Sequence, residues 1–455
     1  MKTKTKWVAW GFFSLDYKAM EAYLEELAAK GWMLDKIWGS VAKFRAIEPQ
    51  NLKFYVDVFK EGGPLTPEKT EESEEYRKLC QESGWIFITS KDYLQFFYAD
   101  SDSEPVPIQT DEALEQKIVE ITLVRNELRS IIIFLIIAAF VFIINFPVRY
   151  TNLLSFTGVA TTFFFPILCA FTMVPALYSI MWMVRARKKI KDGLPLKKPT
   201  LKSARRRIMA FNVPFWITIF FFILAFIGDA LFDFKKVALA LLGPVVGSAI
   251  GIGIRFFIKK KSTKKEDSIQ YVVISVIIII IIIPILNSLI TGSSTVAYKI
   301  DSIPEGYPIV VLEEILEESN KDSVLSREFE PGMSPIVPRH YDYWEKIDIN
   351  GQKKSIGIKY YKAINPYFAG IIFGGITDKL ENGFKWRGEY LFKKIIITDS
   401  EMIDLWGAEN VAITEERDII IIQKGNIVLY LSGNIDFNNK QTRELMISRL
   451  FSDFE

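Results

Sequence analysis

Cysteine and histidine are nearly missing from this chain. Its 455 residues hold two cysteines, Cys80 and Cys169, and one histidine, His340. One cysteine lies in a polar N-terminal part and the other inside an apolar run, so they make no disulfide framework. A structural zinc site needs four nitrogen or sulfur ligands, which all but excludes that chemistry here. A histidine-centred triad can form only around His340, in the run Arg339–Lys346 (RHYDYWEK), where adjacent residues of a strand would face opposite sides. Catalytic signatures are also absent: no G-x-S-x-G, no H-E-x-x-H, no P-loop and no dinucleotide fingerprint. Gly370–Gly375 (GIIFGG) is apolar and lacks the Lys or Ser/Thr of a phosphate cradle. The acid pairs Glu313-Glu314, Glu317-Glu318 and Glu415-Glu416 read as solvated faces. The expectation is a non-enzymatic protein with no cofactor and no metal. A cleavable leader is not expected either, because the first apolar stretch, Trp7–Phe13, is too short.

Charge is abundant but segregated. Residues 1–125 carry 16 basic and 22 acidic side chains, residues 126–290 carry 21 and 6, and residues 291–455 carry 19 and 26. The small net charge of +2 hides this acid–base–acid order. Half of the residues are hydrophobic and mean hydropathy is +0.18, which excludes a disordered chain.

The basic middle is also the apolar one. Five runs, at about 130–148, 157–184, 208–232, 237–258 and 269–290, approach or exceed the roughly 20 residues that cross a bilayer. Lipid offers no partner for backbone amides, so these runs are expected as a five-helix bundle. The segment 185–207 holds eleven Lys and Arg against one acid, among them Arg185, Arg187, Lys188, Lys189, Arg205, Arg206 and Arg207. The fourth run ends in Arg255, Lys259, Lys260 and Lys261. The positive-inside rule places both segments in the cytoplasm, with Met1 inside and Glu455 outside. These basic residues read as a membrane-surface set facing anionic lipid. No aromatic residues interleave them, so nucleic acid is not expected as a partner. Gly243, Gly247 and Gly251 recur every four residues and put small residues on one helix face for close helix packing. A homodimer through that face is the alternative.

Residues 1–109 read as a duplicated α+β head. Each half is a strand, a helix, a Gly-Trp pair and a hairpin: Trp7–Phe13, Asp16–Lys30, Gly31-Trp32 with Val41–Ile47, then Asn51–Phe59, Glu71–Ser83, Gly84-Trp85 with Tyr93–Tyr98. The glycines fit left-handed helix caps. One antiparallel sheet with both helices on one face is expected. The sheet face, or the groove between the halves, is the place for a protein partner or a small apolar ligand; Trp10, Trp32, Trp38, Phe44, Tyr55, Trp85 and Phe97 are mostly core. Residues 110–129 continue as an amphipathic connecting helix into the first span.

The sequence Asp16…Glu21…Leu24…Leu27-Ala28-Ala29-Lys30-Gly31-Trp32…Leu34, with Phe44, Tyr55, Glu75-Tyr76…Leu79-Cys80 and Gly84-Trp85, resembles the domain-of-unknown-function family 2812. Ile108–Glu112 is similar to that family's I-x-T-D-x-E-S junction and departs from it at Ala113. The resemblance implies a membrane protein of a Gram-positive bacterium and brings no activity or functional residues with it.

Residues 291–455 read as an extracytoplasmic α+β domain. A helix is expected at Pro308–Asn320, a proline-rich loop at Lys321–Asp342, strands at Ser355–Lys362 and Tyr390–Thr398, a helix at Pro366–Lys379, a hairpin at Asp418–Leu431 and a closing helix at Asn439–Phe451. The whole chain then reads as a plasma-membrane sensor, regulator or interaction scaffold. The alternative is a component of transport, or of immunity to peptides or other membrane-active agents.

Overall fold

The computed structural model describes residues 4–452 apart from 65, 101–102, 110, 146–147, 195–198, 262–297, 317–323, 350, 387–388, 392–393, 395 and 398–399. The chain divides into two units, one of residues 1–142, 166–220 and 241–288, the other of residues 143–165, 221–240 and 289–455.

The first unit contains the duplicated head. One half is β1 (Thr5–Ala9), α1 (Tyr17–Ala28), β2 (Trp32–Trp38) and β3 (Val41–Ala46). The other is β4 (Leu52–Val58), α2 (Glu71–Glu82), β5 (Ile86–Lys91) and β6 (Leu94–Asp100). The halves repeat down to their irregularities. Each helix ends at a glycine of positive φ, Gly31 at 81° and Gly84 at 89°. Each second strand then carries a bulge, between Leu34 and Lys36 and between Phe87 and Thr89.

The single expected sheet is corrected to two antiparallel sheets, ordered β1-β3-β2 and β4-β6-β5. β2 and β5 are the neighbouring edges. Each carries its bulge on the side paired within its own sheet, which adds local twist, and among the described residues no ladder joins the two edges. The halves still share one core: α1 lies on β4, and Leu24, Leu27, Phe44, Phe54 and Phe96 belong to one buried cluster. The free edge of β4 is closed by a side chain, because the Val56 amide donates to Glu21 Oε1 at 2.9 Å.

Behind the head, α3 (Glu112–Val119) passes through one π-helical turn, Glu120–Val124, into α4 (Arg125–Asn145). Asp111 caps α3, its Oδ1 accepting from the amides of Ala113 and Leu114. Next come α5 (Phe156–Thr172) and α6 (Val174–Lys191), broken at Met173 just before Pro175, then α7 (Leu201–Phe232) and α8 (Phe234–Lys261). Among the described residues two stretches are long and apolar enough to cross a membrane, Phe156–Lys191 and Leu201–Phe232. That is two candidate spans in place of the expected five-helix bundle. The runs at 130–148 and 237–258 are largely helical but their side chains are described only in part, and the run at 269–290 lies outside the described residues.

In the second unit, Asp229 of α7 caps α5. Its carboxylate accepts from the amides of Phe156 (2.7 Å) and Thr157 (2.9 Å) and from the Thr157 hydroxyl (2.5 Å). The C-terminal domain is an eight-stranded antiparallel sheet of β7 (Tyr298–Lys299), β8 (Val324–Gly332), β9 (Arg339–Ile349), β10 (Gln352–Lys362), β13 (Ile396–Ile397), β14 (Asn410–Thr414), β15 (Ile419–Lys424) and β16 (Ile427–Gly433), in the order β13-β14-β15-β16-β10-β9-β8-β7. β11 (Phe384–Trp386) and β12 (Glu389–Leu391) pair apart from it. Ile420 and Ile422 of β15 belong to the core on one face, Ile419 and Ile421 to that on the other. Both faces are covered, which is why the strand reads as an unbroken apolar run.

Two expectations fail here. The proline-rich loop is instead β8 and the start of β9. Pro331 lies in β8 two residues past Phe329, the last residue of that strand paired with β7 among the described residues, and it is opposite Tyr341 of β9. Pro335 and Pro338 form the connecting turn. The strand expected at 390–398 is split between β12 and β13. The helix expected at Pro308–Asn320 is described only as Leu312–Leu316. The Pro366 helix, the β15–β16 hairpin and the closing helix Lys440–Leu450 stand as read.

Candidate functional site

The groove between the two halves of the head is real, with a volume of about 630 Å³. The duplication builds it. The β2–β3 hairpin turns at Gly39 (φ 54°) and the β5–β6 hairpin turns at Asp92 (φ 55°), equivalent positions of the repeat. Both turns border the groove, and Asp is among the few non-glycine residues that enter the left-handed region readily.

The charged lining comes from distant parts of the chain. Lys36 belongs to β2, Glu68 precedes α2, Arg77 lies on α2, Lys91 and Asp92 on the second hairpin, and Arg255 on α8. Four cations thus face two carboxylates, in a head whose own balance is acidic. Lys36 Nζ stands 3.5 Å from Glu68 Oε2, and Arg255 Nη2 stands 2.8 Å from Asp92 Oδ1. Arg77 is held in place: Nε donates to Gln95 Oε1 and Nη2 to the Glu68 carbonyl, each at 3.0 Å, and its guanidinium lies 4.0 Å from the centre of the Phe87 ring. Burial lowers the Arg77 pKa, with the charges of Glu68 and Glu74 opposing.

The rest of the lining includes apolar surface. Trp38 is 48% exposed and stacks on Trp7 at 5.3 Å. Ile252 and Phe256 of α8 are 71% and 63% exposed. No Cys or His lines the groove, and among the described residues no cluster of His, Cys, Asp or Glu is placed to hold a metal ion. This arrangement suits binding of an anionic, partly apolar molecule.

A second feature is the seam between head and helix ends. Arg187 of α6 pairs with Glu120, Arg205 of α7 with Glu26 (2.8 Å), and Arg207 of α7 with Asp16. Asp16 is fully buried. Tyr178 donates to its Oδ1 at 3.4 Å, and the Arg207 guanidinium lies 4.4 Å from the centre of the Tyr178 ring. Burial raises the Asp16 pKa, opposed by the hydrogen bond and charge of Arg207. Asp16 Oδ2 and Arg207 Nε are buried without a hydrogen-bond partner. In the exposed pair, Arg187 instead lowers the Glu120 pKa.

The basic residues singled out from the sequence therefore separate. Arg187, Arg205 and Arg207 pair with acids of the head and its connecting helix. Arg185, Lys188 and Arg206 are exposed and Lys189 is half-buried. The side chains of Lys259, Lys260 and Lys261 lie outside the described residues. Along α8, a Cβ added at Gly247 or Gly251 would meet no atom within 4 Å among the described residues, and Gly243 is not described at that level. Sequence reading missed Lys36 and Arg77 and gave Arg255 only a membrane-surface role, because the groove gathers them from three separate stretches. The signal available was the pair of equivalent hairpin turns.

No curated protein and no solved structure matches the chain. A family model does match, over residues 16–129, and its description is Protein of unknown function (DUF2812). That stretch starts at the buried Asp16, takes in both Gly-Trp pairs and ends in α4, so the similarity to DUF2812 covers the head from α1 onward with its connecting helix.

Proposed function

We propose that this protein is a non-enzymatic sensor or regulator of the bacterial plasma membrane, with the head in the cytoplasm and the C-terminal domain outside. Apolar helices join them, among them the two candidate spans. A ligand bound in the head groove changes how the head holds the ends of the helices. The observation that carries this reading is the seam: Arg187, Arg205, Arg207 and Arg255, from three different helices, each pair with a carboxylate of residues 16–120. Changes in the head then have direct mechanical routes into α6, α7 and α8. Basic residues at the ends of apolar helices also agree with a cytoplasmic head, and the two candidate spans agree with a membrane protein.

The test is genetic and uses the full chain. Charge reversal at Glu26 and Glu120 breaks two of the four seam pairs while leaving the groove lining intact. The expected result is a transcriptome shifted in the same direction as that of a deletion strain. Unchanged transcriptomes in both strains would remove the sensing role.

A further inference from the structure

We propose that the head groove holds the headgroup of an anionic bilayer phospholipid, with the acyl chains lying outside it along α8. The inference rests on the membrane reading above and names the ligand class of that same groove. Three observations point there together. First, the groove lining carries four cations against two carboxylates, the complement of a phosphodiester. Second, Ile252, Arg255 and Phe256 fall at helical spacing on one face of α8. Their order sets exposed apolar side chains beside a cation that borders the groove, the pairing an amphiphile requires. Third, this face lies where the apolar run of α8 gives way to Arg255 and Lys259–Lys261, the depth at which anionic headgroups attract basic residues. Trp38, half-exposed on the groove rim, has the amphipathic ring favoured at that level.

The volume agrees. About 630 Å³ takes a glycerophosphate-type headgroup and leaves no room for two acyl chains. Within the site, Asp92 and Glu68 act as internal stand-ins. A phosphate oxygen competes with Asp92 for Arg255 and with Glu68 for Lys36, since Arg binds phosphate and carboxylate through the same fork of donors. Lipid entry therefore exchanges two ion pairs, Lys36–Glu68 and Arg255–Asp92.

The experiment uses the full-length protein in phosphatidylcholine nanodiscs containing a minority of brominated phosphatidylglycerol. Bromine quenches nearby indoles, and the Trp38 contribution is isolated by difference from Trp38→Phe. Phosphatidylglycerol should quench Trp38 more than brominated phosphatidylcholine at equal content. Lys36→Gln combined with Arg255→Gln should weaken the apparent affinity about tenfold or more, the loss of charge-assisted contacts, while Arg255→Lys alone should recover part of it, which separates lost binding from lost folding. Equal quenching by both lipids would overturn the proposal, and so would quenching that the double variant leaves unchanged. Displacement by inorganic phosphate would overturn it in favour of a soluble phosphorylated ligand. Hydrogen exchange at the Asp16–Arg207 seam keeps the two readings apart. Selective lipid binding with unchanged exchange there retains the ligand and removes the sensor. Absent lipid selectivity, with exchange that responds to phosphate, does the reverse.

Discussion

Asp16 and Arg207 show how much one buried charge can matter. Asp16 has no contact with solvent, and Arg207 is its cationic partner. Arg207→Gln leaves a carboxylate buried without its partner, a change that costs about 3–5 kcal/mol in comparable pairs. Asp16→Asn removes the charge itself and should cost less. Thermal unfolding of the two variants checks the order; equal losses would show that the pair is not coupled. Glu21 makes a different prediction. Burial pushes its pKa up to about 7 from 4.5, against the opposing pull of Lys18 and the Val56 amide. Between those two values the folded chain holds a proton that the unfolded chain has released. Stability of the head therefore falls as pH rises from about 4.5 to 7, with a slope of at most about 1.4 kcal/mol per pH unit, and is level above that window as far as this group is concerned. Glu21→Gln should flatten the slope in urea titrations across that range. In the C-terminal domain, Glu345 is fully buried and accepts from Arg327 Nε at 2.8 Å and from the Leu312 amide at 2.7 Å. Glu345→Ala strands both donors and should destabilise the domain by about 3 kcal/mol or more, measured by chemical denaturation.

Among the elements, the repeat unit is the most instructive. Helix, glycine, tryptophan and hairpin were legible in both halves because each step has a local cause: apolar spacing for the helix, positive φ for the glycine, an aromatic that returns to the core. Gly31→Ala and Gly84→Ala both force a left-handed backbone onto a side chain, at roughly 1 kcal/mol. Gly31→Ala should be the worse, because its Cβ would stand 3.0 Å from the Ile47 carbonyl, whereas that of Gly84 would meet Pro105 at 3.4 Å. Denaturant midpoints of the two variants give the comparison, and a reversed order would mean that Pro105 yields less readily than the Ile47 backbone. The division into two sheets was not legible. It depends on whether β2 and β5, neighbours in space, form a ladder, and the alternation of side chains is the same whether a strand lies inside a sheet or at its edge. The β8–β9 pair was hidden for another reason: a cluster of prolines reads locally as a loop, although Pro331 lies within β8.

At the level of the whole chain, the acid–base–acid order of charge finds part of its explanation in the seam. Acids of the head meet arginines at the ends of α6, α7 and α8, so some of the basic cluster is satisfied within the protein before any lipid is considered. The proposed topology has a direct check. In a chain without its native cysteines, Leu79→Cys and Tyr367→Cys both offer an exposed thiol, at positions 62% and 73% exposed. An impermeant maleimide should label Tyr367→Cys in intact cells and Leu79→Cys only after permeabilisation. Labelling of both from the same side would remove the transmembrane arrangement and leave a scaffold anchored from one face.

What could be known from the residues in order was whatever short-range chemistry dictates: the segregation of charge, the apolar runs, the duplicated head, the poverty of metal and catalytic chemistry. Helical periodicity, capping glycines and composition act over a few residues and are written in sequence. The groove is of another kind. Lys36, Arg77, Asp92 and Arg255 carry no shared signal along the chain, and nothing local tells Arg207 that its partner is the distant Asp16. Those associations arise when α1 packs on β4, the bulged strands set the halves edge to edge, and α8 runs beside the hairpins. Burial then converts ordinary surface charges into pairs whose energy depends on the partner, which is why the site belongs to the folded head and to no single segment of it.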